Sequence, residues 1–273
     1  MPYYGKYPNY FDLWLNTAGY NKTIDFYILT DIEDSRPFPD NVHIVKMEFD
    51  ALKKRIQNLF NFKIILGDPY KLCDYKPAYG LIFEDIIKYY DFWGYCDPDI
   101  IWGNLRNFIT EDILKNHERI YSRGHLTLYR NNDQNNKVFL ESHKIRAFTY
   151  KEAFTTNYHC HFDEWSGTSC IYKYRKINCY DAIDFADIRY QKYHFELAPP
   201  MDADGKPKVF IWANGKLFGY VLKEDNILNK EYSYIHLQKR PMKYTKSNLG
   251  QPFVITPDDF IAFDGTPPEE FIS

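Results

Sequence analysis

The stretch FWGYCDPDIIWG, from Phe92 to Gly103, constrains this chain more than any other. An apolar and aromatic run ends at Cys96, and two carboxylates, Asp97 and Asp99, follow at once. Charges are costly to bury unless something pairs with them. The strand must therefore stop where the acids begin, and the acids must face water, a cation or a ligand. Upstream, IDFYILT (Ile24–Thr30) and VHIVKM (Val42–Met47) read as strands, and FDALKKRIQNLF (Phe49–Phe60) as an amphipathic helix. KPAYGLIFEDIIKYY (Lys76–Tyr90) reads as a second helix with Pro77 in its first turn. Strands alternating with helices predict an α/β fold, with a mostly parallel central sheet covered on both faces. Ligands of such sheets sit beyond the carboxyl ends of the strands, where Asp97 and Asp99 would lie.

Past Gly103 the pattern changes. ERIYSRGHLTLYRN (Glu118–Asn131) reads as a strand or hairpin pair, and DEWSGTSCIYKYRKI (Asp163–Ile177) as a helix capped by Asp163. KVFIWANGKLFGYVL (Lys208–Leu222) is a β-hairpin about Asn214-Gly215, the type I′ signal, and YSYIHLQKR (Tyr232–Arg240) is a last strand. The start, MPYYGKYPNYFDLWL, enters a helix almost immediately. That leaves barely three residues for a first strand, so either this strand is very short or the chain begins late.

A chain of 273 residues suits one large domain or two small ones. A net charge of −3 offers no basic field, which argues against nucleic acid. Aromatic content of 19% fits a Tyr-rich core or a cleft with stacking surfaces. Five cysteines without framework spacing point to a reducing compartment. His159-Cys160-His161 has no C-x-x-C companion, so it is not read as a zinc site. With no signal peptide and no apolar run of about 18 residues, the expectation is a soluble, cytoplasmic protein.

An Asp-x-Asp at a strand end suits a divalent cation held against a diphosphate, because hard cations take oxygen ligands and share them with substrate phosphates. The spacing alone equally describes a solvated turn. Its context is more specific. K-x-C-D-x-K-P-x-Y-G (Lys71–Gly80) followed by F-W-G-Y-C-D-x-D (Phe92–Asp99) resembles the bacterial glycosyltransferase-like proteins of capsule, O-antigen and exopolysaccharide biosynthesis, of GT-A fold. The resemblance runs roughly from Tyr4 to Met242. It implies a Rossmann-like nucleotide-diphospho-sugar transferase in one domain, 1–273. The nucleotide-binding half would be about 1–105, the acceptor half about 106–245 and the tail 246–273.

Carried over by position, Asp97 would contact the ribose and share the metal, Asp99 would bind the metal, and Asp74 and Lys76 would face the nucleotide sugar. YYGKYPNYF would place Tyr3 and Tyr4 near the base, with Gly5 at a tight turn. YIHLQKRPM would supply His236 to the metal, and Lys239 and Arg240 to the diphosphate. HCHFDEWSG would supply the base, Asp163 or Glu164, although an N-cap is an equally good reason for an Asp at 163. The implied activity is metal-dependent, inverting transfer of a hexose, with galactose or galactofuranose as candidates. UDP-sugar would be the donor, Mn²⁺ or Mg²⁺ the cofactor, and a glycan or lipid-linked oligosaccharide the acceptor, with peripheral contact at the inner membrane face. Two other classes stay open. A non-catalytic glycan-binding protein would need the aromatics alone. A metal-dependent phosphohydrolase would use the same acids, but its pattern wants Thr or Val where Ile101 stands.

Overall fold

A computed structural model describes residues 1–142, 145–189, 195–198, 208–223, 226–245 and 252–271. The sequence expectations at 246–251 and 272–273, in the tail, lie outside these residues. The strands are β1 (Phe26–Thr30), β2 (Val42–Lys46), β3 (Phe92–Cys96), β4 (Ile100–Trp102), β5 (Arg119–Arg123), β6 (Leu126–Arg130) and β7 (Cys179–Tyr180). They continue as β8 (Ala186–Asp187), β9 (Lys208–Ala213), β10 (Lys216–Lys223), β11 (Asn226–Tyr232), β12 (Tyr234–His236), β13 (Phe253–Ile255) and β14 (Phe260–Ala262). The α-helices are α1 (Phe11–Gly19), α2 (Phe49–Gln57), α3 (Tyr79–Ile82), α4 (Glu84–Ile87), α5 (Glu111–Asn116), α6 (Asp133–Lys137), α7 (Tyr150–Phe154) and α8 (Thr168–Arg175).

The strands form several sheets, and antiparallel pairing dominates. β1 and β2 pair in parallel on their own. β3-β6-β5-β7 is antiparallel except for its last pair, and β4-β12-β8 is mixed. β11-β10-β9-β13-β14 is a five-stranded antiparallel sheet. This overturns the expected GT-A, Rossmann-like architecture with a mostly parallel central sheet. The reason lies in the connections. Parallel neighbours need a crossover of a dozen or more residues, whereas a short turn forces an antiparallel return. Only Gly124 and His125 separate β5 from β6, and only Asn214 and Gly215 separate β9 from β10. The latter turn was foreseen as type I′, and both residues have positive φ, +50° and +80°.

Two helix readings also change. The segment Pro69–Ala78 runs as 3₁₀ turns, with Pro77 inside it, and only the short α3 and α4 follow. Pro77 lacks an N–H to donate, and Phe83, with φ −119° and ψ 28°, breaks the remainder. Downstream, α8 starts at Thr168 behind Gly167, so Asp163 caps no helix. The last strand is shorter than expected, because β12 stops at His236.

Aromatic residues fill the interior. Trp14, Trp102, Trp212, Tyr75, Tyr121 and Tyr234 are among the fully buried side chains. A continuous stack runs Tyr3–Tyr7–Phe11–Trp14 at centroid separations of 5.1, 4.0 and 5.2 Å, and Trp14 seats α1 against Phe26 of β1 and Trp102 of β4. The five cysteines carry free thiols. No helix among the described residues is long and apolar enough to cross a membrane.

Candidate functional site

The end of β3 is pinned from both sides. Asp97 N–H donates to the His125 carbonyl (3.0 Å), and its carbonyl accepts from Trp14 Nε1 (3.2 Å). The chain then enters β4 directly after Asp99. β4 pairs with β12 so that Ile100 lies opposite His236, and β12 pairs with β8 so that Asp187 lies beside His236. Three strands distant in sequence thus deliver acids and an imidazole to one spot. His236 Nε2 lies 3.5 Å from Asp99 Oδ1 and 4.0 Å from Asp97 Oδ2, while its Nδ1 is 2.8 Å from Asp187 Oδ1. One ligand atom each of Asp97, Asp99 and His236 fall within 4.8 Å of one another, as do those of His125, Asp187 and His236.

The turn after β12 tightens this arrangement. Gln238 and Lys239 both take the left-handed conformation, φ +50° and +57°, which is uncommon without glycine. It aims the Lys239 amide at Asp99 Oδ2 (2.6 Å), and Gln238 Nε2 donates to Asp187 Oδ1 (2.6 Å). Burial disfavours charge on both members of the Asp99–His236 pair. Their mutual attraction outweighs it, so Asp99 is held below the usual carboxylate range and His236 well above the usual imidazole range. His236 is therefore an imidazolium among three acids, occupying the place a cation would neutralise. His125 stacks on His236 at 4.4 Å, and burial followed by the charge on His236 holds it neutral. Its Nδ1 meets Tyr234 Oη at 3.0 Å, and its buried Nε2 has no hydrogen-bond partner among the described residues.

A second cluster adjoins the first through Lys76. Its Nζ donates to Asp97 Oδ1 (2.9 Å) and the Gly124 carbonyl (2.7 Å), and lies 3.4 Å from Asp163 Oδ2. Burial opposes its charge, but Asp97 and Asp163 outweigh burial and hold the ammonium protonated. Asp163 is 2% exposed, and its Oδ1 is buried without a hydrogen-bond partner among the described residues. Burial pushes it up to about 7, with Lys76 pulling the other way and Glu164, Asp97 and Asp74 adding to the rise. Gly124 borders both acids. A Cβ there would come within 2.2 Å of Glu164 Oε1 and 2.9 Å of Asp163 Oδ2.

Other expected residues have different duties. Asp74 is fully buried, and its carboxylate accepts from Lys71 Nζ (2.6 Å), Cys160 N (2.9 Å) and Phe162 N (3.0 Å), so it does not face a nucleotide sugar. Arg240 is 6% exposed and donates to the carbonyls of Pro257 (3.0 Å) and Arg189 (2.9 Å), which makes it a loop tie rather than a phosphate clamp. Tyr4 is buried edge-on against Phe49, in the core rather than at a surface where a base could stack. Tyr3 belongs to the aromatic stack, its hydroxyl donating to the Lys6 carbonyl (2.8 Å). Gly5 does make a tight turn, with φ +114°. Lys239 is exposed, with Nζ 4.1 Å from the centre of the Tyr70 ring.

Sequence reasoning missed Asp187, Gln238, His125 and Gly124. An acid inside the apolar run FADI marked Asp187. A family model matches residues 1–264, that of a family of unknown function, DUF6625. The chain belongs to that family. Every residue of the two DUF6625 clusters described above lies within the matched span. No curated protein and no solved structure matches the chain.

Proposed function

We propose that this protein is a metal-dependent glycosyltransferase that uses a nucleoside diphosphate sugar, with UDP as the nucleotide. The convergence of Asp97, Asp99 and His236 carries the reading. The donor set fits a divalent cation. Two carboxylates and the His236 ring face one another, and Asp187 orients the ring from behind through Nδ1, the arrangement that fixes the tautomer of a metal-binding histidine. A bound ion would take the place of the proton on His236 Nε2, which faces Asp99 at 3.5 Å. Asp97, Asp99 and His236 would hold Mn²⁺ or Mg²⁺, and such an ion supplies positive charge to a leaving diphosphate.

The remaining roles belong to the chain's own side chains. Lys76 holds a fixed positive charge beside Asp97 and orients that carboxylate. Lys239, exposed with its Nζ over the Tyr70 ring, would turn from that ring towards a phosphate. Asp163, held to about 7, has the proton affinity a general base needs near neutral pH. It would take the proton of an acceptor hydroxyl, consistent with an inverting transfer of a hexose to a glycan or lipid-linked acceptor. The test is UDP binding by calorimetry with and without Mn²⁺. Binding that needs the metal, and is lost in Asp99→Asn and His236→Ala variants of unchanged circular dichroism, is expected. Metal-independent binding of equal strength in all three proteins would sink the reading, and release of inorganic phosphate from UDP would point to a hydrolase instead.

A further inference from the structure

Away from these clusters, a cavity of about 330 Å³ opens between β1 and β3, lined along both strands by residues 25–29 and 92–96. Its volume lies within the range of ligand pockets. Its walls are mostly apolar, from Ile86, Ile87, Leu126 and Leu128 among others. Thr23, Asp25, Asp91, Arg106 and Glu111 also border it, and the two strands present backbone polar groups to it.

On the β1 side, Phe26 N–H and the Thr30 carbonyl bond towards β2, so the even residues of β1 point that way. The odd residues point the other way. Tyr3 N donates to the Leu29 carbonyl (2.9 Å), Leu29 N to the Met1 carbonyl (3.1 Å) and Met1 N to the Tyr27 carbonyl (2.7 Å). The row stops there. Its next group, Tyr27 N–H, has no partner among the described residues. On the β3 side, Asn131 N bonds to the Asp91 carbonyl and Asp97 N to the His125 carbonyl, which fixes the odd residues towards β6. The N–H and C=O groups of Phe92, Gly94 and Cys96 therefore face away from β6, and form no backbone hydrogen bond among the described residues.

We propose that this cavity is a strand-acceptor slot, which takes an extended apolar strand of about five residues from a partner polypeptide, running parallel to β1. An open row of donors and acceptors on β3, and the open Tyr27 N–H on β1, flank one apolar space. An acyl chain or other hydrocarbon would fill the space and leave every N–H unpaired, at a cost for each buried group. A strand exposes N–H and C=O groups along both edges and can serve both sides at once, while its side chains occupy the apolar walls. Pro2 already pairs in parallel with Leu29, which sets the direction for the added strand.

The test is amide hydrogen exchange on the whole chain with a soluble probe, Ac-Val-Ala-Val-Ile-Val-Lys-Lys-NH₂, against the same peptide N-methylated at alternate residues. The amides of Tyr27, Phe92, Gly94 and Cys96 are expected to exchange readily in the free protein. At about nine-tenths occupancy they should slow about tenfold with the first peptide and not with the second. Three results would each overturn the proposal: amides already protected without peptide, no protection by the unmodified peptide, or equal protection by the N-methylated peptide or n-octanol. The last would reduce the slot to an apolar hole.

Discussion

Replacing Asp163 with Asn separates a structural acid from a functional one. Burial holds Asp163 at about 7 in the folded protein, against an ordinary value of 3.8. Between those two values the unfolded chain has released a proton that the folded chain still holds. Wild-type stability therefore falls as pH rises through this window, and levels off above it. Asn resembles the protonated acid and does not titrate. From these two values, the stability gap between Asp163→Asn and wild type should widen by roughly 2–3 kcal/mol from pH 5 to pH 8, in favour of the variant. Urea unfolding at each pH, followed by tryptophan fluorescence, reads this gap. Because only the change with pH matters, any constant difference between Asn and Asp drops out. Glycosyl transfer should move the opposite way, falling roughly 10²–10⁴-fold with donor binding unchanged. A gap that stays flat or narrows with pH would mean that Lys76, 3.4 Å away, keeps Asp163 ionised throughout, and the proton-acceptor argument would fail.

Asp187→Asn should leave the fold intact but weaken Mn²⁺ binding by about 10–100-fold, read by calorimetry, because His236 loses the carboxylate that orients it. Asp74→Ala should destabilise the protein by about 3–5 kcal/mol in urea, since it strands a buried Lys71 ammonium and two amides. A loss below about 1 kcal/mol would return Asp74 to the candidate ligand residues. Lys239→Gly should raise stability by about 1 kcal/mol, by relieving a left-handed residue at φ +57°, while weakening UDP binding more than uridine binding. Equal loss for both ligands would remove Lys239 from phosphate recognition.

The parts legible in sequence were those where the chemistry changes within a few residues. The apolar run broken by Asp97 and Asp99 located a strand end, and Asn214-Gly215 located a hairpin with its turn type. Pairing partners were not legible. Alternation reveals that a segment is a strand, but its neighbour is chosen by contacts far away in sequence, and the two-residue turn at Gly124 and His125 decided one sheet's direction. Asp74 shows the same limit, since its three partners include amides at Cys160 and Phe162 that no local pattern announces. Asp163 looked like a helix cap because an acid before an apolar segment is the usual sign of one. The helix waits until Thr168, and the acid is drawn inward beside Lys76. His236 was placed beside Asp99 by resemblance; the register of β12 against β4 supplies the physical reason.

That register also sets a timetable. Asp99 and His236 are 137 positions apart (236 − 99), and β12 can join β4 only once the later residue has been made. At about 5–20 residues per second, a ribosome needs roughly 7–27 s to travel from one to the other. Throughout that interval a nascent chain displays Asp97 and Asp99 without the imidazole, and β4 without its partner strand. If the proposed ion bound that early, only carboxylates would hold it, and the discrimination an imidazole brings would arrive only once His236 is made.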